Sequence, residues 1–230
     1  MRTRSPWDDG ALRQVGEALA LVVVAGGRAS RFGADKLAAD LGGLPLMAHV
    51  LRGARAALPP ATPIVAVGPE PAGCRCEVRW VTEEPRLGGP VAALAAGLSA
   101  VPAATRLLLV TSGDAPFAAT ALPRLAAALA ESFALDQGTS CPASPRPAAD
   151  AVVAVDPSGR RQPLLAAFRV EALRAAIGDA PTGRSMHGVL AGLVMIDVAV
   201  TGREAFDVDR PEDLATAQAW LRGEPPETAI

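Results

Sequence analysis

Short apolar runs alternate with segments of helical periodicity along most of this 230-residue chain, and this alternation constrains the fold more than any other feature. The run at residues 18–25 (ALALVVVA) ends in Gly26-Gly27, as a buried strand ends at a tight loop. In residues 44–58, apolar side chains recur at spacings of three and four, which indicates one face of a helix. Strands that alternate with helices pair in parallel, so we predict an α/β fold with a mostly parallel sheet and helices on both faces. Further strands are predicted at residues 63–67, 78–81 and 107–111, and further helices at residues 91–100 and 122–129.

The pattern changes near residues 151–168. Residues 151–155 and 162–168 have the composition of strands, and the turn sequence Asp156-Pro157-Ser158-Gly159 joins them. This hairpin predicts an antiparallel excursion within the sheet. No second apolar core is needed, so we predict a single Rossmann-like domain over residues 17–222.

The rest of the chain completes this domain. Helices are predicted at residues 170–177, 185–190 and 211–221, and a strand at residues 193–198. Asp209 is a candidate N-cap for the last helix. We expect the N-terminal extension (residues 1–16) and the C-terminal tail (residues 223–230) to be weakly ordered. The Ala- and Pro-rich residues 139–149 are predicted to form a surface loop.

Charge and hydropathy disfavour two classes of partner. The formal net charge is -2 and no basic run is sustained, so the chain lacks the electrostatic footprint of a protein that binds nucleic acid or an anionic membrane. No apolar stretch of about 20 residues is present to span a bilayer, and the first residues lead into acidic side chains rather than a signal core. We therefore expect a cytoplasmic protein that binds a small molecule.

The cysteines do not suggest a zinc site. Cys74, Cys76 and Cys141 are an odd number, and the two histidines stand far apart in the sequence. Free thiols agree better with this pattern and with a reducing compartment.

The stretch that follows the first strand concentrates glycines and cations. Glycines let main-chain N–H groups approach phosphate oxygens, and cations offset the phosphate charge, so the stretch suits a triphosphate. The alternative is an ordinary turn with solvated cations. The stretch is not a Rossmann fingerprint, because its second glycine directly follows the first, nor a P-loop, because Gly33 precedes Ala34-Asp35. Its glycines and cations are Gly26, Gly27, Gly33, Arg28, Arg31 and Lys36.

Residues 24–36, V-A-G-G-R-x-S-R-F-G-x-D-K, resemble the L-A-G-G-x-S-x-R-M-G-x-D-K signature of the molybdenum cofactor guanylyltransferase-like branch of nucleotidyltransferases, in the NTP transferase superfamily. Val24 replaces Leu and Phe32 replaces Met. The resemblance implies that this loop binds an NTP and that Lys36 meets the phosphates. The main chain of Val24, Ala25 and Gly26 would contact the base, with Gly27 and Arg28 beside them.

A second segment, residues 88–94, resembles the G-P-L-A-G-L element of this family, which helps to recognise the base. Gly89 and Pro90 match the element, and Ala93 replaces its second glycine. Pro90 also suits the first position of a helix. Either Glu83 or Glu84 stands where relatives place an acidic residue near the base.

A third segment, residues 107–117, resembles the D-x-P element whose aspartate binds Mg²⁺ in the family. The resemblance implies that Asp114 is a metal ligand and part of the nucleotide site. A carboxylate just beyond a parallel strand also lies where ligands of open α/β sheets bind, and Mg²⁺ takes one or two carboxylates with phosphate oxygens and water. The alternative role of Asp114 is to cap the following helix.

The remaining segments bear on the acceptor and on the metal. Residues 161–169 resemble the H/Q-P-L-x-A-L-Y-R strand of the family, and residues 183–186 resemble its G-x-R-S-L turn. The resemblance implies acceptor-side roles for Gln162, Pro163, Arg184 and Ser185. Residues 206–214 resemble the N/D-x-N/D-T-P-E-D-L ending with Arg210 in place of Thr, so Asp207 or Asp209 would supply a second metal carboxylate.

Together these resemblances predict a Mg²⁺-dependent nucleotidyltransferase that moves GMP from GTP to a phosphate-bearing acceptor, with molybdopterin as a candidate. Arg31, Lys36 and Asp114 would be its catalytic residues. Two alternatives stay open: a cytidylyl- or sugar-phosphate nucleotidyltransferase, and a non-catalytic nucleotide-binding regulatory protein. Oligomeric state and protein partners are not indicated by the sequence.

Overall fold

The structure is a computed structural model that describes Trp7 and residues 18–26, 32, 35–138 and 148–224, with the main chain alone at residues 133–138. Within these residues seven strands form one sheet, in the order β3-β2-β1-β4-β6-β5-β7. The strands are β1 (Leu19–Val24), β2 (Ile64–Val67), β3 (Arg79–Val81), β4 (Leu107–Ser112), β5 (Ala151–Val155), β6 (Arg161–Arg169) and β7 (Met195–Ala199).

Strand direction follows the prediction. β3, β2, β1 and β4 pair in parallel, and β5 pairs in parallel with β7. β6 is antiparallel to both of its neighbours, β4 and β5. The mostly parallel sheet with an antiparallel excursion near residues 151–168 is therefore confirmed.

The two most apolar strands lie side by side at the centre. β1 (LALVVV) is fully buried, and β4 (LLLVTS) is buried up to its last residue. They pair in register from Leu19 opposite Leu107 to Val24 opposite Ser112. Because parallel strands end at the same edge, the residues that follow Val24 and Ser112 emerge next to each other.

Helices cover both faces of the sheet. Side chains alternate along β1, so that Leu21 packs with α1 and α3 on one face while Val22 packs with α2, α4 and α5 on the other. α6 packs on a smaller cluster around Leu41 and Phe117. The helices are α1 (Leu46–Ala57), α2 (Pro90–Ala100), α3 (Leu122–Gly138), α4 (Val170–Ile177), α5 (Met186–Leu190) and α6 (Pro211–Leu221).

Gly97 lets α2 approach the sheet closely. A Cβ atom at this position would lie 2.6 Å from Val22 Cγ1 and 2.9 Å from Val67 Cγ2. Real Cβ atoms do not come that close, so any side chain here would push the helix outward. The contact fixes the depth at which the start of α2, with Gly89 and Pro90, stands over the end of β1.

The structure differs from the sequence predictions at several ends. α3 continues to Gly138, beyond the predicted residue 129. Asp209 is not the N-cap of α6: the helix begins after Arg210, and the Asp213 carboxylate accepts hydrogen bonds from the N–H groups of Asp209 and Arg210, at 2.9 and 2.8 Å. This local pairing satisfies the first turn without Asp209.

The predicted loop and chain ends lie mostly outside the described residues. Of the N-terminal extension, Trp7 is described: it is buried and its indole N–H donates to the carbonyl of Ala57 at 2.8 Å. Residues 1–6, 8–17, 139–147 (with Cys141) and 225–230 are not described. Within the described residues, no helix is both long enough and apolar enough to cross a membrane.

Two of the cysteines are free, as predicted. Cys74 is buried and its Sγ lies 3.9 Å from that of Cys76. Burial raises the pKa of the Cys74 thiol to about 12, with a further contribution from Cys76, so it stays protonated at neutral pH.

Candidate active site

A cleft opens at the carboxyl edge of the sheet, above the ends of β1 and β4. It consists of a cavity of about 490 Å³ and an adjoining one of about 230 Å³. Open α/β sheets bind ligands at this edge. The residues common to both cavities are Val24, Gly26, Glu83, Leu87 and Asp114.

Gly113 draws Asp114 against the end of β1. The N–H of Gly113 donates to the carbonyl of Val24 at 2.9 Å. A Cβ atom at Gly113 would lie 2.9 Å from Met47 Sδ and 3.3 Å from Ala25, so a larger residue would displace the loop. Asp114 therefore stands directly beside the Ala25-Gly26 turn, as the two motifs predicted.

Lys36 binds two carboxylates at this edge. It opens a single 3-10 turn (Lys36–Ala38), which Asp35 caps by accepting from the N–H of Leu37 at 3.1 Å. The Lys36 ammonium lies 2.5 Å from Asp114 Oδ2 and 3.1 Å from Asp209 Oδ1. Burial opposes its charge, but Asp114 and Asp209 outweigh burial and raise the pKa of Lys36, so it is a cation at neutral pH.

Asp207 is the third carboxylate of the group. It lines the larger cavity, and its Oδ1 lies 3.5 Å from Ser112 Oγ. The N–H of Val208 donates to the main-chain carbonyl of Asp114 at 2.9 Å, which docks the segment from Asp207 to Asp209 onto the end of β4. Although Asp207 reaches solvent through the cavity, desolvation by the surrounding protein, followed by repulsion from Asp114 and Asp209, raises its pKa to about 7.

The oxygen donors of Asp114 and Asp207 fit a hard divalent cation. Both side chains line the larger cavity, whereas Asp209 does not; Asp114 and Asp209 are both paired with Lys36. Among the described residues no three His, Cys, Asp or Glu side chains are arranged to enclose a metal by themselves. A Mg²⁺ ion at this place would need phosphate oxygens or water to complete its shell, which is how proteins commonly bind it.

Glu83, not Glu84, faces the cleft. Its side chain is buried, lines both cavities, and accepts a hydrogen bond from the N–H of Leu87 at 2.9 Å; Glu84 is exposed. The bond holds Leu87 at a φ of 61°, a conformation that non-glycine residues rarely adopt, with 60% of the residue exposed at the cleft. Gly89 and Pro90 continue this wall. The sequence did not indicate Leu87, because it lies in no motif.

Glu204 is a second residue that the sequence did not indicate. It lines the larger cavity and binds Arg124 through two hydrogen bonds, at 2.9 and 3.0 Å, and Thr120 and the N–H of Thr201 at 3.0 and 2.8 Å. Burial would raise the pKa of Glu204, but Arg124, Thr201 and Thr120 outweigh it and lower the pKa to about 2. The ion pair between Glu204 and Arg124 fastens the turn before Asp207 to α3.

The acceptor-side predictions divide in two. Gln162 and Pro163 line the larger cavity, together with Leu164 and Leu165. Arg184 and Ser185 line neither cavity: Arg184 donates to the carbonyls of Ala176 and Ile177 at the end of α4, and Ser185 Oγ caps α5 by accepting from the N–H of Gly188 at 3.1 Å. Both side chains are occupied by main-chain groups, which the turn motif could not reveal.

Three predicted phosphate-loop residues, Gly27, Arg28 and Arg31, lie outside the described residues, and their roles stay predictions. The described members of the nucleotide motif, Val24, Ala25, Gly26 and Lys36, line the smaller cavity together with Asp114.

Comparisons with known proteins agree with this fold. Residues 21–195 match the family model of the MobA-like NTP transferase domain. No curated protein matches the chain in a sequence comparison. The fold is similar to that of molybdopterin-guanine dinucleotide biosynthesis protein A from Archaeoglobus fulgidus, with a TM-score of 0.62 and 19% identity over 89% of this chain and 99% of that one. It is also similar to 4-diphosphocytidyl-2C-methyl-D-erythritol synthase from Anaerococcus prevotii, with a TM-score of 0.56 and 14% identity over 90% of this chain and 99% of that one.

Proposed function

Because the chain belongs to the MobA-like NTP transferase domain family and is a nucleotidyltransferase, we propose that it transfers GMP from GTP to a phosphate-bearing acceptor, with molybdopterin as the first candidate. The observation that carries the proposal is the meeting of Lys36 with Asp114 beside Gly26, at the carboxyl edge of the sheet. A cation for phosphates and a carboxylate for a metal thus stand at one end of a cleft large enough for a nucleotide.

Glu83 supports guanine as the base. Guanine presents two adjacent donors, N1–H and the N2 amino group, which a single carboxylate can accept together. Cytosine and uracil offer no such pair of neighbouring donors. Glu83 Oε1 already accepts from Leu87, yet a carboxylate has lone pairs to spare. The buried position of Glu83 would strengthen its selectivity, because a base that left it unpaired would incur a desolvation cost.

The reaction follows from the placement of these groups. An oxygen of the acceptor phosphate attacks the α-phosphorus of GTP, the bond from that phosphorus to the bridging oxygen breaks, and pyrophosphate leaves. A phosphate dianion needs no general base. Lys36 exchanges its carboxylate partners for the leaving phosphates and offsets their charge, with Arg31 as the predicted second cation. Mg²⁺ held by Asp114 and Asp207 would supply further positive charge against the phosphate oxygens.

Pyrophosphate release tests the proposal. Each of the four NTPs is incubated with Mg²⁺ and either molybdopterin or a sugar phosphate, and competition among the NTPs gives the base preference. We expect release with GTP and molybdopterin. A tenfold preference for CTP or UTP over GTP in this competition, a difference of about 1.4 kcal/mol, would contradict the guanine assignment. NTP binding without release for any acceptor would favour a regulatory nucleotide-binding protein.

A further inference from the structure

On the proposed acceptor side of the cleft, the side-chain NH₂ group of Gln162 already donates a hydrogen bond within the protein. Its Nε2 donates to Asp156 Oδ2 at 2.8 Å, across the hairpin between β5 and β6. Gln162 also lines the larger cavity. Within the described part of the chain, no donor is bound to its Oε1.

Asp156 fixes the orientation of that amide. Its other oxygen, Oδ1, accepts from the Ser158 hydroxyl at 2.6 Å and from the N–H groups of Ser158 and Arg160 at 2.9 and 3.1 Å. The hydrogen bond from the Ser158 hydroxyl lowers the pKa of Asp156 most, and desolvation opposes it. The hydrogen bonds from the two N–H groups and from Gln162 lower the pKa further, to about 2. Asp156 is therefore ionised at neutral pH and can only accept hydrogen bonds.

A fixed acceptor leaves the amide one satisfied orientation. If the Gln162 amide turned over, its oxygen would face the Asp156 carboxylate, and two acceptors would meet without a proton between them. The NH₂ group thus stays on the hairpin side. The Oε1 atom, bonded to the same carbon, has no donor among the described residues and is the atom left to accept from a ligand in the cavity.

The surrounding wall offers a ligand few other polar partners. β6 bulges here: Ala154 pairs with Gln162 and Val153 with Ala166, which leaves residues 163–165 without partners on β5. All three bulged residues line the cavity with apolar side chains. The ionisable side chains among the described lining are acidic, namely Glu83, Asp114, Glu204 and Asp207, and none is a lysine or arginine. This part of the cavity therefore suits an uncharged, hydrogen-bond-donating part of a ligand rather than its phosphate.

We propose that Gln162, oriented by Asp156, determines acceptor specificity by accepting a hydrogen bond from an N–H or O–H donor on the body of the acceptor molecule. The inference rests on the proposed function for the existence of an acceptor, but it concerns a different part of the cleft from the nucleotide. A pterin ring, which carries several N–H donors, satisfies the requirement beside the apolar bulge. Asp156 is a positioning residue that acts through the amide.

Binding and turnover test this proposal separately. Molybdopterin is the probe, and its affinity is measured by fluorescence titration of the full chain, with and without GTP and Mg²⁺. Gln162→Met keeps the length of the side chain but removes the amide, and Asp156→Asn lets the amide turn. The matched control is Asp197→Asn, which breaks the exposed ion pair between Asp197 and Arg161, next to Gln162 in the sequence.

We expect Gln162→Met to weaken the binding of molybdopterin. Its Kd and its KM should both rise at least tenfold, while the KM for GTP and the Tm stay unchanged. Asp156→Asn should weaken it about threefold, because only part of the amide population keeps the productive orientation, and Asp197→Asn should have no effect. Equal molybdopterin affinity in wild type and Gln162→Met, or no binding by either, would overturn the proposal even if GTP is turned over. Weakened binding without turnover in any variant would leave it standing and count against the proposed function.

Discussion

Lys36 Nζ lies 2.5 Å from Asp114 Oδ2, across 78 residues of sequence, so the cation of the first loop is paired with the carboxylate that follows β4. The ammonium pairs with Asp114 and Asp209 and offsets only part of the charge of the three acidic side chains, among which Asp207 has a raised pKa. Nucleotide binding would have to replace this internal pairing, since Lys36 cannot serve the phosphates and both carboxylates at full strength.

Replacing Lys36 should impair turnover and alter the response to metal. Lys36→Met keeps most of the aliphatic stem but leaves Asp114, Asp207 and Asp209 without their cation, so we expect a loss of about 1 kcal/mol in stability and a fall in kcat/KM of at least tenfold. Mg²⁺ should raise the Tm of the variant more than that of the wild type. Lysine occurs once in the chain, and the other 21 of its 22 cations are arginines. Lys36→Arg is therefore an informative control, because it keeps the charge but changes its shape.

Asp114→Asn separates a metal ligand from a helix cap. No described helix begins within three residues after Asp114, so a capping role is already disfavoured. The change keeps the size of the side chain and removes its charge. We expect a near-normal Tm without ligand, a higher Mg²⁺ requirement, and a turnover loss on the order of a hundredfold, or about 2.7 kcal/mol. Wild-type turnover at limiting Mg²⁺ would remove Asp114 from the metal site.

Glu204 should make stability depend on acid pH. Its pKa is about 2 in the folded protein against the ordinary 4.5, because Arg124, Thr201 and Thr120 outweigh burial. A lowered pKa stabilises the fold above about pH 4.5, and that contribution is lost as the pH falls toward 2. Glu204→Gln should therefore lower the free energy of unfolding at pH 7 by about 2 kcal/mol, and less at pH 3.

Denaturant titrations at pH 7, 5 and 3 measure that difference. The control is Glu224→Gln, whose partner Arg222 is exposed and whose ion pair should contribute little. Parallel loss of stability in wild type and Glu204→Gln between pH 5 and 3 would show that Glu204 does not couple protonation to folding.

Gly97→Ala should destabilise the protein although alanine favours helices. The new Cβ would meet Val22 and Val67 at 2.6 and 2.9 Å, and overpacking of this kind costs about 1 to 3 kcal/mol, against a helix gain of about 1. We expect a Tm lower by several degrees and a higher KM for GTP, because α2 carries Pro90 into the cleft. Gly192→Ala is the matched control, since its Cβ would meet only Val189 O, at 3.8 Å. An unchanged Tm for Gly97→Ala would show that α2 shifts freely.

Local patterns in the sequence predicted most of the fold. β1 and β4 are unbroken apolar runs, and such runs have few alternatives to a buried parallel strand. The sequence assigned both Lys36 and Asp114 to the nucleotide site, because their motifs follow these two strands, but it did not predict the ion pair between them. Which of Asp207 and Asp209 lines the larger cavity was not predictable, since it depends on how the hydrogen bond from Val208 to the main chain of Asp114 places this segment. Arg184 could not be assigned from its motif either, because its partners are carbonyls at the end of α4.

The reversal of β6 has a consequence for how such an enzyme can change over evolution. Among the described strands β6 alone runs against its neighbours, so it enters the sheet at the edge where the parallel strands leave it. The cavity wall formed by residues 162–165 therefore lies at the mouth of one hairpin, while Glu83 and Lys36 approach from loops on the far side of β4. An insertion or deletion in that hairpin would reshape one half of the cleft without moving the other. If this wall holds the acceptor as proposed, changes within the hairpin would alter the choice of acceptor and leave the nucleotide chemistry in place.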